Sequence, residues 1–157
     1  MKNARIFALV FVMIPLLQSC KKSQQICKEK TPQEEEATIL AYAASNNINA
    51  TKDPTGLYYE VIDPGTGAKP SSSSTVKVTY TGKLLNGQVF DQMTSPSATG
   101  WVLSTLITGW QVGLPHISQG GSIKLIVPSS MAYGCSAIGS IPSNSILYFE
   151  VTLVQVQ

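Results

Sequence analysis

Apolar residues recur along this chain with three different spacings. The first is a continuous run from Ile6 to Leu17, preceded by Lys2 and Arg5 and followed by Gln18, Ser19 and Cys20. At about a dozen residues the run is shorter than the ~20 a helix needs to cross a bilayer, so it reads as an export leader and not as a membrane span. The second spacing is helical. Thr31-Pro32-Gln33-Glu34 has the pattern of a capping box with proline at the first helical position, and Glu34, Glu35 and Glu36 complement the helix dipole. Ala37, Leu40, Ala43 and Ala44 supply a modest apolar stripe, which Asn46 and Asn47 end. The third spacing, after Gly56, is close to two: Leu57–Ile62, Val76–Leu84, Ile123–Val127 and Ile146–Val156 read as mostly antiparallel strands separated by Pro, Gly and Ser clusters. Between them Trp110, Leu114 and Ile117 predict one short helix, made irregular by Pro115.

Composition narrows the class. The chain has 157 residues, 43% hydrophobic and only 13% charged, enough for one globular domain with accessories. Eleven Lys and Arg stand against nine Asp and Glu, and removing Lys2 and Arg5 with a leader leaves nine against nine. Such a balance provides no electrostatic footprint for nucleic acid. Leu17-Gln18-Ser19-Cys20 is similar to the cleavage box of bacterial lipoproteins, in which the cysteine is acylated and becomes the mature N-terminus. Residues 1–19 are then a lipoprotein signal peptide, Cys20 the lipidation site, and the polar stretch 20–30 a lipidated tether. An ordinary secretory signal with an incidental cysteine is the alternative. Cys27 and Cys135 either pair in an oxidising compartment or stay separate, and the place of Cys27 in a tether favours separation at least equally. Residues 31–55 form an accessory helix and linker, and residues 56–157 the main domain.

The inventory of reactive groups is thin. His116 is the only imidazole and no Gly-x-Ser-x-Gly elbow accompanies it, so Ser-His chemistry lacks its parts and His116 reads as a solvated or capping side chain. From Gly56 onward the carboxylates are Glu60, Asp63, Asp91 and Glu150, too scattered for a metal site, and no phosphate-binding glycine loop is present. Aromatic residues are conspicuous: Tyr80, Phe90, Trp101, Trp110, Tyr133, Tyr148 and Phe149. Composition alone makes most of them core.

Their spacing adds more. Val76-Lys77-Val78-Thr79-Tyr80-Thr81-Gly82-Lys83-Leu84, then Asn86-Gly87 and Phe90-Asp91, strongly resembles the FKBP-type peptidyl-prolyl cis-trans isomerases. Trp101-Val102-Leu103, Leu106-Ile107-Thr108-Gly109-Trp110, Pro128, Ala132-Tyr133-Gly134, Ile141-Pro142 and Leu147-Tyr148-Phe149-Glu150-Val151 continue the pattern, and Gly56-Leu57-Tyr58-Tyr59 with Gly65-Thr66-Gly67 is similar to the family's entry strand and turn. The resemblance implies an α+β fold: a five- or six-stranded antiparallel half-barrel wrapped over one short helix, with the N-terminal helix as an accessory that is either a packing element or a dimerisation element.

The resemblance also implies a shallow apolar pocket. Trp110 would be its floor, and Tyr80, Phe90, Asp91, Tyr133 and Phe149 would complete the catalytic set. Trp101, Leu106, Ile107 and Ile141 would bind substrate, with the Ile107 N–H receiving a ligand carbonyl at the rim. Departures are Thr99 where many members carry a second aromatic, no basic residue between Gln92 and Gly100 to brace Asp91, and a shortened Tyr133–Ile141 loop carrying Cys135, Ser136 and Ala137. Asp91 would then lean on Tyr133 or a backbone donor. The implied function is isomerisation of prolyl bonds in exported proteins, without metal or cofactor. Its partners would be proline-containing unfolded or partly folded polypeptides, with macrolide inhibitors as candidate ligands, and the membrane through the N-terminal lipid, in a bacterial envelope facing the periplasm. The rival is a non-catalytic chaperone or scaffold module of the same fold. A glycan-binding sandwich fits the aromatics but not the motif order.

Overall fold

The computed structural model describes residues 26–157; the leader, Cys20 and the first part of the tether lie outside the described residues. Helix α1 (Pro32–Ser45) starts at the expected capping box: Thr31 Oγ1 accepts from Glu34 N at 3.3 Å, and Glu34 Oε2 accepts from Thr31 N at 2.7 Å. The capping hydrogen bonds hold the Glu34 carboxyl below its ordinary range. The apolar stripe, however, shares only Ala43 with the one expected. Glu35, Ile39 and Ala43 are buried, while Leu40 is 47% exposed. The inward face includes an acid, so apolar spacing alone pointed to the wrong side. Glu35 is tolerated because both oxygens are used: Oε2 accepts from Ser129 N at 2.7 Å and Oε1 from Ser129 Oγ at 2.8 Å.

Seven strands follow in one antiparallel sheet: β1 (Thr51–Lys52), β2 (Tyr58–Asp63), β3 (Thr75–Leu84), β4 (Val89–Met93), β5 (Trp101–Val102), β6 (Ser122–Val127) and β7 (Leu147–Val156). Their order is β1-β2-β6-β7-β3-β4, with β5 also paired to β3. The excess over the five or six strands expected comes from the two-residue β1 and β5. The short helix is α2 (Thr108–Gly113), continued by a 3-10 turn over Leu114–His116, where Pro115 has no N–H to extend an α-helical ladder.

Strand alternation assigns the two faces. Val76, Val78, Leu125, Phe149, Val151 and Leu153 face α2 in the principal core, with Leu103, Trp110 and Leu114 above them. Ile126 and Tyr148 point the other way, into a second cluster with Tyr58 and with Ile39 and Ala43 of α1. Covering both faces is why Leu125-Ile126-Val127 is buried throughout and loses its alternation. Against the core, α2 approaches closely: a Cβ on Gly113 would come within 2.6 Å of Leu125 Cδ2.

The two cysteines that sequence left open are joined. Cys27 and Cys135 form a disulfide with Cα atoms 5.7 Å apart. Asn144 Nδ2 donates to Lys28 O at 2.9 Å, so the segment from Cys27 onward is fastened to the domain. This corrects the expectation of a free tether reaching to residue 30.

Candidate active site

The centre of the site is the indole of Trp110, carried by α2 and 5% exposed. Tyr80 meets it edge-on at 5.1 Å and 86°, and Phe149 at 5.4 Å and 83°. These arrangements place the positive ring edge near a negative ring face. Phe90 in turn meets Phe149 at 5.6 Å and 89°. Gly82 makes that packing possible, because a Cβ there would lie 2.7 Å from Phe90 Cζ and 3.0 Å from Phe149 Cε1. Any side chain at position 82 would push the two rings apart.

A cavity of about 280 Å³ opens over Trp110. Tyr80, Phe90, Asp91, Tyr133 and Phe149 line it together with Trp101, Leu106 and Ile107, so nine of the ten expected pocket residues, Trp110 included, are brought together. Ile141 is not in the lining: it is buried in the principal core and its backbone pairs with Ile138. Thr105 lines the cavity and was not expected. It sits in a 3-10 turn (Leu103–Thr105) and donates through Oγ1 to Val102 O at 2.7 Å, a role that a short polar residue following Ser104 gives little hint of.

The polar groups are few. Asp91 Oδ2 accepts from the Tyr80 hydroxyl at 2.5 Å, which corrects the expectation that Tyr133 or a backbone donor would hold this carboxylate. Burial first, and then the neighbouring Asp91 carboxylate, pushes the Tyr80 hydroxyl pKa well above its ordinary value, so Tyr80 remains a donor. Ile107 is the N-cap of α2, and its N–H reaches no acceptor among the described residues. His116 lies away from the cavity, stacked on Tyr59 at 4.0 Å with Nε2 3.3 Å from Asp53 Oδ2. Among the described residues no group of three or more His, Cys, Asp or Glu could hold a metal.

An aromatic cavity with a spare backbone donor and one braced carboxylate offers apolar burial and a hydrogen bond, without a nucleophile-base pair. The family described as FKBP-type peptidyl-prolyl cis-trans isomerase matches residues 66–154, which contain every cavity residue. The chain belongs to that family. Among FKBP-type relatives, FkpA of Escherichia coli (strain K12) is 37% identical over 140 residues, covering 87% of this chain and 52% of the relative. The outer membrane protein MIP of Legionella longbeachae is 41% identical over 107 residues, covering 66% of this chain and 46% of the relative. The chain thus spans about half the length of these curated relatives. The crystal structure of Escherichia coli FkpA superposes with a TM-score of 0.70 at 36% identity, covering 80% of this chain and 61% of that one. A peptidyl-prolyl cis-trans isomerase from Pseudomonas syringae gives a TM-score of 0.67 at 28% identity, covering 83% and 98%. The architecture is therefore FKBP-like, an antiparallel sheet with a short helix, preceded by α1.

Proposed function

We propose that this protein isomerises X-Pro bonds of exported polypeptides by taking the proline ring into the Trp110 cavity. The single observation that carries the reading is a buried indole met edge-on by Tyr80 and Phe149, with Phe90 packed on Phe149, beneath an open cavity and beside the Ile107 N–H, which has no acceptor among the described residues. An X-Pro bond is held planar by resonance against a barrier of ~18–20 kcal/mol and exchanges over tens to hundreds of seconds. In the twisted transition state conjugation is lost and the carbonyl is less dipolar. An apolar enclosure disfavours the planar, dipolar form more than the twisted one, which is differential binding of the transition state. Bringing ~100 s down to milliseconds takes a factor of ~10⁵, or about 7 kcal/mol. Ring burial on Trp110, walls from Tyr80, Phe90, Phe149 and Tyr133, and a carbonyl held by Ile107 N–H share that. Tyr80 keeps Asp91 oriented at the rim, while Trp101 and Leu106 flank the substrate.

The experiment is a proline-peptide isomerisation assay on the folded chain. Acceleration well above the uncatalysed rate is expected. Binding of unfolded protein with no acceleration would select the non-catalytic chaperone or scaffold reading instead.

The export reading covers the ends of the chain. Residues 1–19 act as a lipoprotein signal, Cys20 carries the lipid, and the domain works in a bacterial envelope, facing the periplasm. The Cys27–Cys135 disulfide suits an oxidising compartment, and one relative is named an outer membrane protein. When the full chain is expressed with a labelled fatty acid, label should enter the wild type and vanish in Cys20→Ser. Equal labelling of both would remove the anchor from this account.

A further inference from the structure

The Ile107 N–H belongs to a peptide whose other end is tied down by a residue outside the cavity. As N-cap of α2, Ile107 provides no side-chain cap, so nothing at the helix start itself fixes the plane that joins Leu106 to Ile107. Gln111, one turn into α2, does so. Its Nε2 donates to Leu106 O at 2.7 Å and to Ser104 O at 3.2 Å. Both partners are carbonyl oxygens, so only the amide NH₂ can face them, and both its hydrogens are used.

A trans peptide is planar, with its carbonyl and its N–H directed to opposite sides. Holding Leu106 O therefore fixes where the Ile107 N–H points. We propose that Gln111 is a positioning residue for the reaction, aiming the Ile107 N–H at the substrate carbonyl through the Leu106 peptide. A hydrogen bond at the carbonyl end also polarises the amide and strengthens its N–H as a donor. This role rests on the cavity being the prolyl site.

The surrounding turn does not depend on Gln111. Leu103 N donates to Ser74 O at 2.9 Å, Ser104 N to Ser72 O at 3.0 Å, and Leu106 N to Leu103 O at 3.2 Å. Leu103 is completely buried. Removing the glutamine amide thus frees one peptide plane while the wall around it stays. The residue type is demanding: glutamate would set a carboxylate against two carbonyl oxygens, and methionine would keep the volume without a donor.

The test follows a proline tetrapeptide titrated into wild type, Gln111→Met and Gln111→Glu by amide NMR, alongside isomerisation kinetics. In the wild type the Ile107 amide proton should move downfield on binding, and the Trp110 indole N–H should shift as the ring enters. Each variant should lose the Ile107 shift and keep the indole shift, with kcat/KM down roughly fivefold to tenfold, the size of one hydrogen bond. A merely structural role would not separate the two resonances. Should either folded variant retain the Ile107 shift with kcat/KM within about twofold of wild type, the positioning role is overturned. A wild type that neither binds nor turns over the peptide would instead bring down the prolyl-site reading, and this role with it.

Discussion

Trp110→Ala should abolish measurable prolyl isomerisation and lower the stability of the fold by about 3–5 kcal/mol, the usual range for removing a buried aromatic side chain. Part of that loss is the rings themselves. Edge-to-face pairs contribute about 0.5–1.5 kcal/mol each beyond area burial, and Trp110 makes two, to Tyr80 and Phe149. Trp110→Phe separates fold from chemistry. The indole Nε1 is buried with no hydrogen-bond partner among the described residues, so phenylalanine gives up no protein hydrogen bond and removes a donor whose desolvation costs about 1–3 kcal/mol. The phenylalanine variant should therefore stay within about 1.5 kcal/mol of wild type, because that relief offsets the lost packing. Its kcat/KM should still fall by roughly tenfold to a hundredfold, since a smaller ring leaves the cavity base incomplete. Urea unfolding with isomerisation kinetics on the three proteins decides the matter. Retention of full activity by the phenylalanine variant would show that the indole face is not what the substrate rests on. A loss of activity matched by an equal loss of stability would reduce Trp110 to a packing residue.

How far this site could be read from sequence depends on which physical pattern carried each part. β3 and β7 were legible because apolar residues recur at every second position over most of their length, and β6 because Ile123-Lys124-Leu125 alternates before a short apolar run that is buried on both faces. β4 was not: Val89–Met93 is largely exposed, and its place is set by the Asn86-Gly87 turn, where Gly87 adopts φ of 88°, and by pairing to β3. The cavity residues came from motif order. The Tyr80–Asp91 hydrogen bond did not, because it depends on register. Gly82 lies opposite Asp91 and Tyr80 opposite Met93, which makes Tyr80 and Asp91 diagonal neighbours on one face, within reach of a long phenol. A single-residue slip would have put them on opposite faces. Glu35 stands in the first helical turn as expected, but its burial went unread for a related reason: a buried acid carries no apolar signal, and its partner Ser129 is 94 residues away. Ile141 matched its motif but, held by Ile138 within the Tyr133–Ile141 loop, packs into the core instead of the cavity wall. Thr105 and Gln111 act through carbonyls of a 3-10 turn, and polar residues serving backbone groups leave no periodicity to detect.

Reducing the Cys27–Cys135 disulfide should destabilise the protein by about 2–4 kcal/mol while leaving isomerisation nearly unchanged. The cross-link spans 108 residues, from the segment before α1 to the loop before β7, so it restricts the unfolded chain over a long loop. In the folded state it secures a peripheral segment, where Glu29 packs beside Gly134 and Lys28 O accepts from Asn144. The loop that carries Tyr133 has its own closures: Gly134 N donates to Ser129 O at 2.8 Å, Asn144 N to Gly134 O at 2.7 Å, and Ser136 N to Tyr133 O at 2.9 Å. Tyr133 should therefore keep its place against the cavity when the sulfurs separate. Cys27→Ser/Cys135→Ser, compared with oxidised and dithiothreitol-treated wild type in urea, should match the reduced protein and show the full loss, with kcat/KM within about twofold. A stability change below about 0.5 kcal/mol would mean that the unfolded chain is not constrained in the way a long loop demands. A large loss of activity at preserved stability would mean that the N-terminal segment, through Cys135, holds the Tyr133 wall in place, and that the loop's backbone bonds do not suffice.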